Sequence, residues 1–286
     1  MSKILPLFMK VKIHPLFWLV AVPAALTARF YELILLFLLV FIHEWGHALA
    51  ASFFSWRVKA ILILPFGGLV ETDEFGSRPI RQEALVALAG PLQHLWLGGL
   101  FLVLHRFSLL SDADHALLQK YNWMIFFFNC LPVYPLDGGK IFYLAAALVS
   151  PFFTAFKRTL VSSFVILTIL FAAMLFFAPY HFNGWVIALF LYAVLWRTWK
   201  NRNYIFLRFL LAKYAGADGA KIGREKGITA KASENMRAVL EKFHLGFRHT
   251  VIVKGNGEVL GTFGERELLE AFFTGPFRKT LKDMLK

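Results

Sequence analysis

Over the first two hundred positions, apolar residues fall in long uninterrupted blocks instead of alternating with polar ones. A helix that crosses a bilayer needs about 20 of them. Residues 33–54, 84–104 and 160–178 reach that length, and the last of these carries no charge. Residues 13–28 and 180–196 are shorter, the first interrupted by Pro23 and the second joined to its predecessor through Pro179. Residues 121–149 are long, but Pro132, Pro135, Asp137, Gly138 and Gly139 break their middle. The pattern predicts six transmembrane helices, one of them broken. Beyond about residue 200 the long blocks stop. Residues 236–244 have helical spacing, 250–254 and 259–263 read as strands around a turn at 255–258, and 265–273 read as a second helix. The expected fold is therefore a membrane all-α domain over 1–200 and a small α/β domain over 201–286. Trp196, Arg197, Trp199, Lys200 and Arg202 mark the boundary, since aromatic and cationic residues together sit where a helix leaves the bilayer.

Composition agrees. Of 286 residues, 58% are apolar and only 17% are charged, against about 45–50% and about 25% in soluble domains. This excludes a disordered chain, a collagen-like chain and a disulfide scaffold, and argues against an ordinary soluble enzyme. The single cysteine, Cys130, leaves no internal disulfide. The net charge of +13 would also suit a nucleic-acid binder, but its placement follows the membrane rule. The N-terminus, the 55–83 and 150–159 loops and the 197–213 flank hold 14 Lys/Arg, whereas Arg29, Arg106 and Lys120 are the 3 on the other side. A multi-pass membrane protein with both termini cytosolic is expected, with no direct nucleic-acid partner. No small-residue cleavage site follows the first apolar stretch, so 13–28 does not read as a cleavable signal.

The second block holds His43, Glu44 and His47 in the order H-E-x-x-H. On a helix, positions i and i+4 lie one above the other, so both imidazoles can share one metal ion. Zinc takes neutral imidazoles in a tetrahedral shell and leaves a position open in catalytic sites. Glu44 is placed to act as a general base. Three ionisable groups inside an apolar span cost several kcal/mol, roughly 2.5–3.5 per charge on insertion scales, which a metal would offset. A third ligand is needed, and the broken span offers Asp137; the competing role for it is a helix N-cap. Proline removes backbone donors and drives the residue before it toward extended geometry, so 129–137 should be unwound.

These residues resemble the site-2 protease family of intramembrane metalloproteases. That family pairs H-E-x-x-H with N-x-x-P-x-x-P-x-D-G, matched here by Asn129, Pro132, Pro135, Asp137 and Gly138. Pro65, Phe66, Gly67 and Gly68 resemble its glycine turn, and Ala89, Gly90 and Pro91 a further motif, although His94 stands where the family often has Asn. The resemblance implies that His43, His47 and Asp137 bind Zn2+ and that Glu44 activates water. Asn129 would be a catalytic hydrogen-bond donor to the oxyanion, or else an amide satisfying the unwound backbone. A cleavable peptide must be locally extended, and 61–70 and 129–137 are the candidate edges for it to pair with. The six-span architecture with its C-terminal domain is similar to the sporulation subgroup of endospore-forming bacteria. It implies a membrane-associated substrate, a pro-sigma factor, with membrane-protein regulators, in the bacterial inner membrane or the membrane surrounding the forespore.

The C-terminal order of elements resembles a single CBS-type module. Such modules pair, which implies a homo-oligomer, and pairs often take adenine nucleotide. Gly264 and Glu267 depart from the usual phosphate- and ribose-contacting residues. A metal or proton transporter is the competing function, because a broken span with buried ionisable groups also suits transport. The absence of an internal repeat and the H-E-x-x-H order speak for hydrolysis. His14, His105, His115 and His181 fall at span ends and read as interfacial polar residues; Cys130 reads as a small buried filler, and Phe126, Phe127 and Phe128 as lipid-facing or packing.

Overall fold

The computed structural model of the chain describes residues 7, 10–13, 22, 30–64, 67–72, 76, 78–177, 180, 182–216, 224–255, 258–275 and 280–284. The expected first span at 13–28, together with Pro65, Phe66, Pro179, His14 and His181, lies almost wholly outside them. Two compact units are present. One comprises Met1–Phe75, Ala84–Ile141 and Ile166–Leu191, the other Gly76–Glu83, Phe142–Val165 and Tyr192–Lys286.

The first unit opens with β1 (Val11–Ile13) and α1 (Phe30–Phe53), followed by β2 (Val58–Leu64) and β3 (Gly67–Thr72). Then come α2 (Ile80–Arg106), α3 (Asp112–Asn129) and the start of α4 (Asp137–Val149). β2 is the central strand of a sheet, parallel to β1 and antiparallel to β3, with Ile61 opposite both Val11 and Val70. No strand pairs with the far side of β3 among the described residues. Of the expected edge at 61–70, only the β3 part is therefore an edge. Ala48 and Ala51 let α1 approach closely, and Trp56, Val58 and Ile61 close over them. Nearer its start, Leu39 and Val40 of α1 pack against Leu97, Phe101, Leu118 and Ile125 from α2 and α3.

Ser111 caps α3 by accepting the Asp114 N–H at 3.1 Å. α3 ends at Asn129 and α4 begins at Asp137, so the expected break is present. It forms local turns and no strand: Val133 N–H donates to Leu131 O at 2.7 Å and Leu136 N–H to Val133 O at 2.9 Å. Gly138 and Gly139 lie against the backbone of 130–134, where a side chain would not fit. Cys130 is exposed, contrary to the expectation of a buried filler; it caps the helix with its own N–H.

α5 (Phe152–Phe177) and α6 (Phe182–Tyr214) follow. Phe30–Phe53, Ile80–Arg106 and Phe152–Phe177 are long and apolar enough to cross a membrane. α5 turns Val161, Val165 and Ile169 outward. On its inner side Thr159 and Ser163 are buried, their hydroxyls donating to Ala155 O and Thr159 O. α6 runs without a break for 33 residues, through 197–202.

In the second unit, β4 (Arg224–Lys231), β5 (Phe247–Gly255) and β6 (Glu258–Gly264) form a mixed sheet in that order, with α7 (Met236–Leu240) and α8 (Glu265–Thr274) beside it. β4 is parallel to β5 and was not evident in the sequence, because only Ile228 and Ala230 supply its buried face. Phe152 stacks on Phe209 at 4.0 Å, and its N–H donates to Phe243 O. Lys213, in the last turn of α6, donates to Phe247 O at 2.8 Å and to Glu265 at 3.1 Å, so the helix is tied to β5 and α8. His249 shares that carboxylate through Nδ1 at 2.6 Å. Burial, then the charges of Lys226 and His249, push the His244 imidazole down to about 4.

Candidate active site

His43 and His47 project from one face of α1, and their Nε2 atoms stand 3.1 Å apart. Asp137, the first residue of α4, brings Oδ2 to 3.1 Å from His43 Nε2 and 3.0 Å from His47 Nε2. One helix and one unwound segment, separated by ninety residues of chain, thus converge on a triangle of three ligand atoms. Glu44 lies beside it: the ligand atoms of His43, Glu44 and His47 are all within 4.8 Å of one another. All four residues are at most 5% exposed.

The triangle suits zinc. Donors about 2.0–2.1 Å from a tetrahedral ion stand about 3.3–3.4 Å from each other, so the three atoms need to open by only about 0.3 Å. His47 Nδ1 donates to Val86 O at 2.7 Å, so a neutral His47 keeps its lone pair on Nε2, facing the Asp137 carboxylate. Lone pairs facing one another at this distance repel unless a metal ion or a proton lies among them. The other Asp137 oxygen, Oδ1, accepts from Lys140 Nζ at 2.9 Å. That ammonium fixes the carboxylate so that a single oxygen faces the imidazoles.

Two glycines set the walls. A Cβ at Gly90 of α2 would overlap the His47 imidazole and stand 2.8 Å from His43 Nε2. A Cβ at Gly68 of β3 would overlap the Glu44 carboxyl group, to which the Gly68 backbone N–H donates. Behind His43, Nδ1 lies 3.1 Å from His94 Nε2, and His94 Nδ1 lies 2.8 Å from Asn122 Oδ1.

Of the residues singled out in the sequence, His43, Glu44, His47 and Asp137 come together. Asn129 does not join them by any hydrogen bond described: its Nδ2 donates to Ile125 O, one turn back in its own helix, at 3.0 Å. Sequence reasoning missed Lys140, whose i+3 spacing from Asp137 was a usable signal, and the Val86 carbonyl, for which the sequence carries none.

The model of Peptidase family M50 matches residues 31–120, the stretch that holds α1 and α2. Stage IV sporulation protein FB of Bacillus subtilis (strain 168) is 38% identical over 273 residues, which is 96% of this chain and 94% of that protein. The chain belongs to peptidase family M50. A second relative, a zinc metalloprotease of Methanocaldococcus jannaschii, is 34% identical over 111 residues, 38% of this chain and 32% of that protein. The solved structure of the Site-2 Protease from Methanocaldococcus jannaschii superposes with a TM-score of 0.55 at 25% identity, covering 65% of this chain and 89% of that one. This M50 member is thus a mostly helical membrane protein of site-2 protease-like fold and a zinc metalloprotease that acts within the membrane. Asp137 lies beyond the residues that the family model matches, so its place in the site rests on the contacts given above.

Proposed function

We propose that His43, His47 and Asp137 hold one zinc ion, and that Glu44 is the general base in hydrolysis of a peptide bond of a membrane-associated protein. The observation that carries this reading is the convergence of His43 Nε2, His47 Nε2 and Asp137 Oδ2 within 3.1 Å beside a buried Glu44. Zinc, when bound, supplies the Lewis acidity that polarises a peptide carbonyl and makes water acidic near neutral pH. Glu44 takes a proton from the attacking water and delivers it to the leaving amine nitrogen. Asn129 is proposed as a donor to the developing oxyanion, for which its amide must leave the Ile125 carbonyl. The test is zinc per chain. Wild type should carry one, His43→Ala/His47→Ala none, and Asp137→Asn should bind more weakly because its amide oxygen has no formal charge. Full occupancy in the double variant would sink the assignment.

A peptide held for cleavage must be extended, and the side of β3 on which no strand pairs among the described residues supports strand addition there. Gly68 of β3 touches Glu44, so a segment paired along β3 would run beside the general base. The sporulation name of the Bacillus relative supports a role in sporulation; the substrate proposed is a pro-sigma factor, under the control of membrane-protein regulators. Six spans over 1–200, one broken, with both termini cytosolic in the inner membrane or the membrane surrounding the forespore, complete the reading. A reporter active only in the cytosol, fused after Lys286, should work, and one active only outside should stay silent. The reverse pattern would overturn the orientation.

Residues 201–286 are proposed as a CBS-type regulatory domain that pairs with a second copy. Adenine nucleotide is the lesser part of that proposal, because Glu267 is already engaged in accepting the Gly264 N–H at 3.0 Å. The domain would hold substrate near the cytosolic mouth of the site. Deleting 214–286 should leave zinc content unchanged and slow cleavage of a long substrate by about 10²-fold, the scale of a lost tether, with short substrates affected less. Equal rates on the long substrate would leave the domain without a part in cleavage.

A further inference from the structure

His94 and Asn122 are fully buried on α2 and α3, yet neither is among the residues to which hydrolysis has been assigned. With the imidazoles of His43 and His94 both neutral, the state in which His43 can bind a metal, their hydrogen bonds leave one arrangement of protons. Asn122 faces the His94 backbone carbonyl at 2.8 Å, and a carbonyl can only accept, so the atom facing it is the Nδ2 donor. Asn122 Oδ1 then points at His94 Nδ1, 2.8 Å away, and can only accept, so His94 carries its proton on Nδ1. His94 Nε2 is left bare, and it faces His43 Nδ1 at 3.1 Å. His43 must therefore donate from Nδ1 and keep Nε2 as a lone pair, on the side where Asp137 and His47 converge.

We propose that His94 and Asn122 are positioning residues that fix the tautomer and ring orientation of His43 for zinc. This rests on the zinc reading of His43, His47 and Asp137. His47 reaches the same state through one bond to the Val86 carbonyl. His43 reaches it through a two-member relay whose far end is anchored on the backbone of α2. Outer partners of this kind change metal affinity by about 10–100-fold when removed.

The full chain, purified in detergent, would be titrated with zinc against a chromophoric chelator. His94→Leu should weaken zinc by about 10–100-fold, and His94→Gln, which keeps an acceptor toward His43, should recover most of the loss. Asn122→Leu should weaken zinc in the same direction. The double variant His94→Leu/Asn122→Leu should be no worse than His94→Leu, because the relay is already cut. Asn122→Leu, which removes both the acceptor for His94 Nδ1 and the donor to the His94 carbonyl, carries the test if His94→Leu does not fold, and wild-type affinity there would overturn the relay as well. Wild-type affinity in a folded His94→Leu, equal losses for Leu and Gln at 94, or additive losses in the double variant would overturn the relay. His43→Ala separates the two levels. If it binds zinc like wild type, the ligand assignment falls; if it loses zinc while His94→Leu does not, only the relay falls.

Discussion

Glu44→Gln should retain its zinc and lose about 10²–10⁴-fold in cleavage rate, the range that a general base contributes. Gln has the size and shape of Glu, so the packing against Gly68 survives and the carbonyl oxygen can still accept the Gly68 N–H. What disappears is a group able to take a proton from water and return it to the leaving nitrogen. Glu44 lies with His43 and His47 but none of the hydrogen bonds that build the triangle of ligand atoms passes through it, so metal content should not follow activity. Co-expression with membrane-bound pro-proteins gives the readout: processed product with wild type, and none above background with Glu44→Gln at equal zinc content. Wild-type processing by Glu44→Gln would remove Glu44 from the chemistry.

Gly90→Ala should disable the enzyme from a position that carries no functional group. The added methyl would occupy space held by the His47 imidazole and crowd His43 Nε2. α1 and α2 are packed helices, so the imidazoles must give way. A displacement of about 1 Å at reacting groups costs on the order of 10² in rate, and two ligands are displaced here. Gly99→Ala on the same helix is the control, since its Cβ would meet nothing within 4 Å. Zinc per chain and cleavage should both fall in Gly90→Ala and both persist in Gly99→Ala. Equal activity in the two would show that α2 does not wall the metal site.

The parts of the site legible in the sequence are those that local geometry dictates. His43 and His47 are four apart on one helix, and that spacing alone brings their Nε2 atoms together. Asp137 was legible because two prolines and two glycines inside an apolar stretch can only mean an interrupted helix. The partners behind the ligands were not legible. Val86 O, His94 and Asn122 reach His43 and His47 across helix–helix contacts, and no periodicity in α2 or α3 says which residues meet α1. Asn129 shows a different limit: at the last position of α3 its amide bonds the carbonyl one turn back, the local alternative that Asn side chains always have. In the second unit β4 escaped notice because Ile228 and Ala230 are its buried residues while Glu225, Lys226 and Lys231 make the strand read as polar. The end of the membrane domain read from Trp196 to Arg202 falls inside α6, since aromatic and cationic residues mark the bilayer surface without ending a helix.

The most direct measurement is X-ray absorption at the zinc edge of the purified full chain. Two imidazole ligands and oxygen donors at about 2.0–2.1 Å are expected, with one imidazole lost in His43→Ala and no sulfur near 2.3 Å. A zinc–sulfur distance, which only Cys130 could supply among the cysteines, or an unchanged spectrum in His43→Ala, would contradict the ligand set of His43, His47 and Asp137.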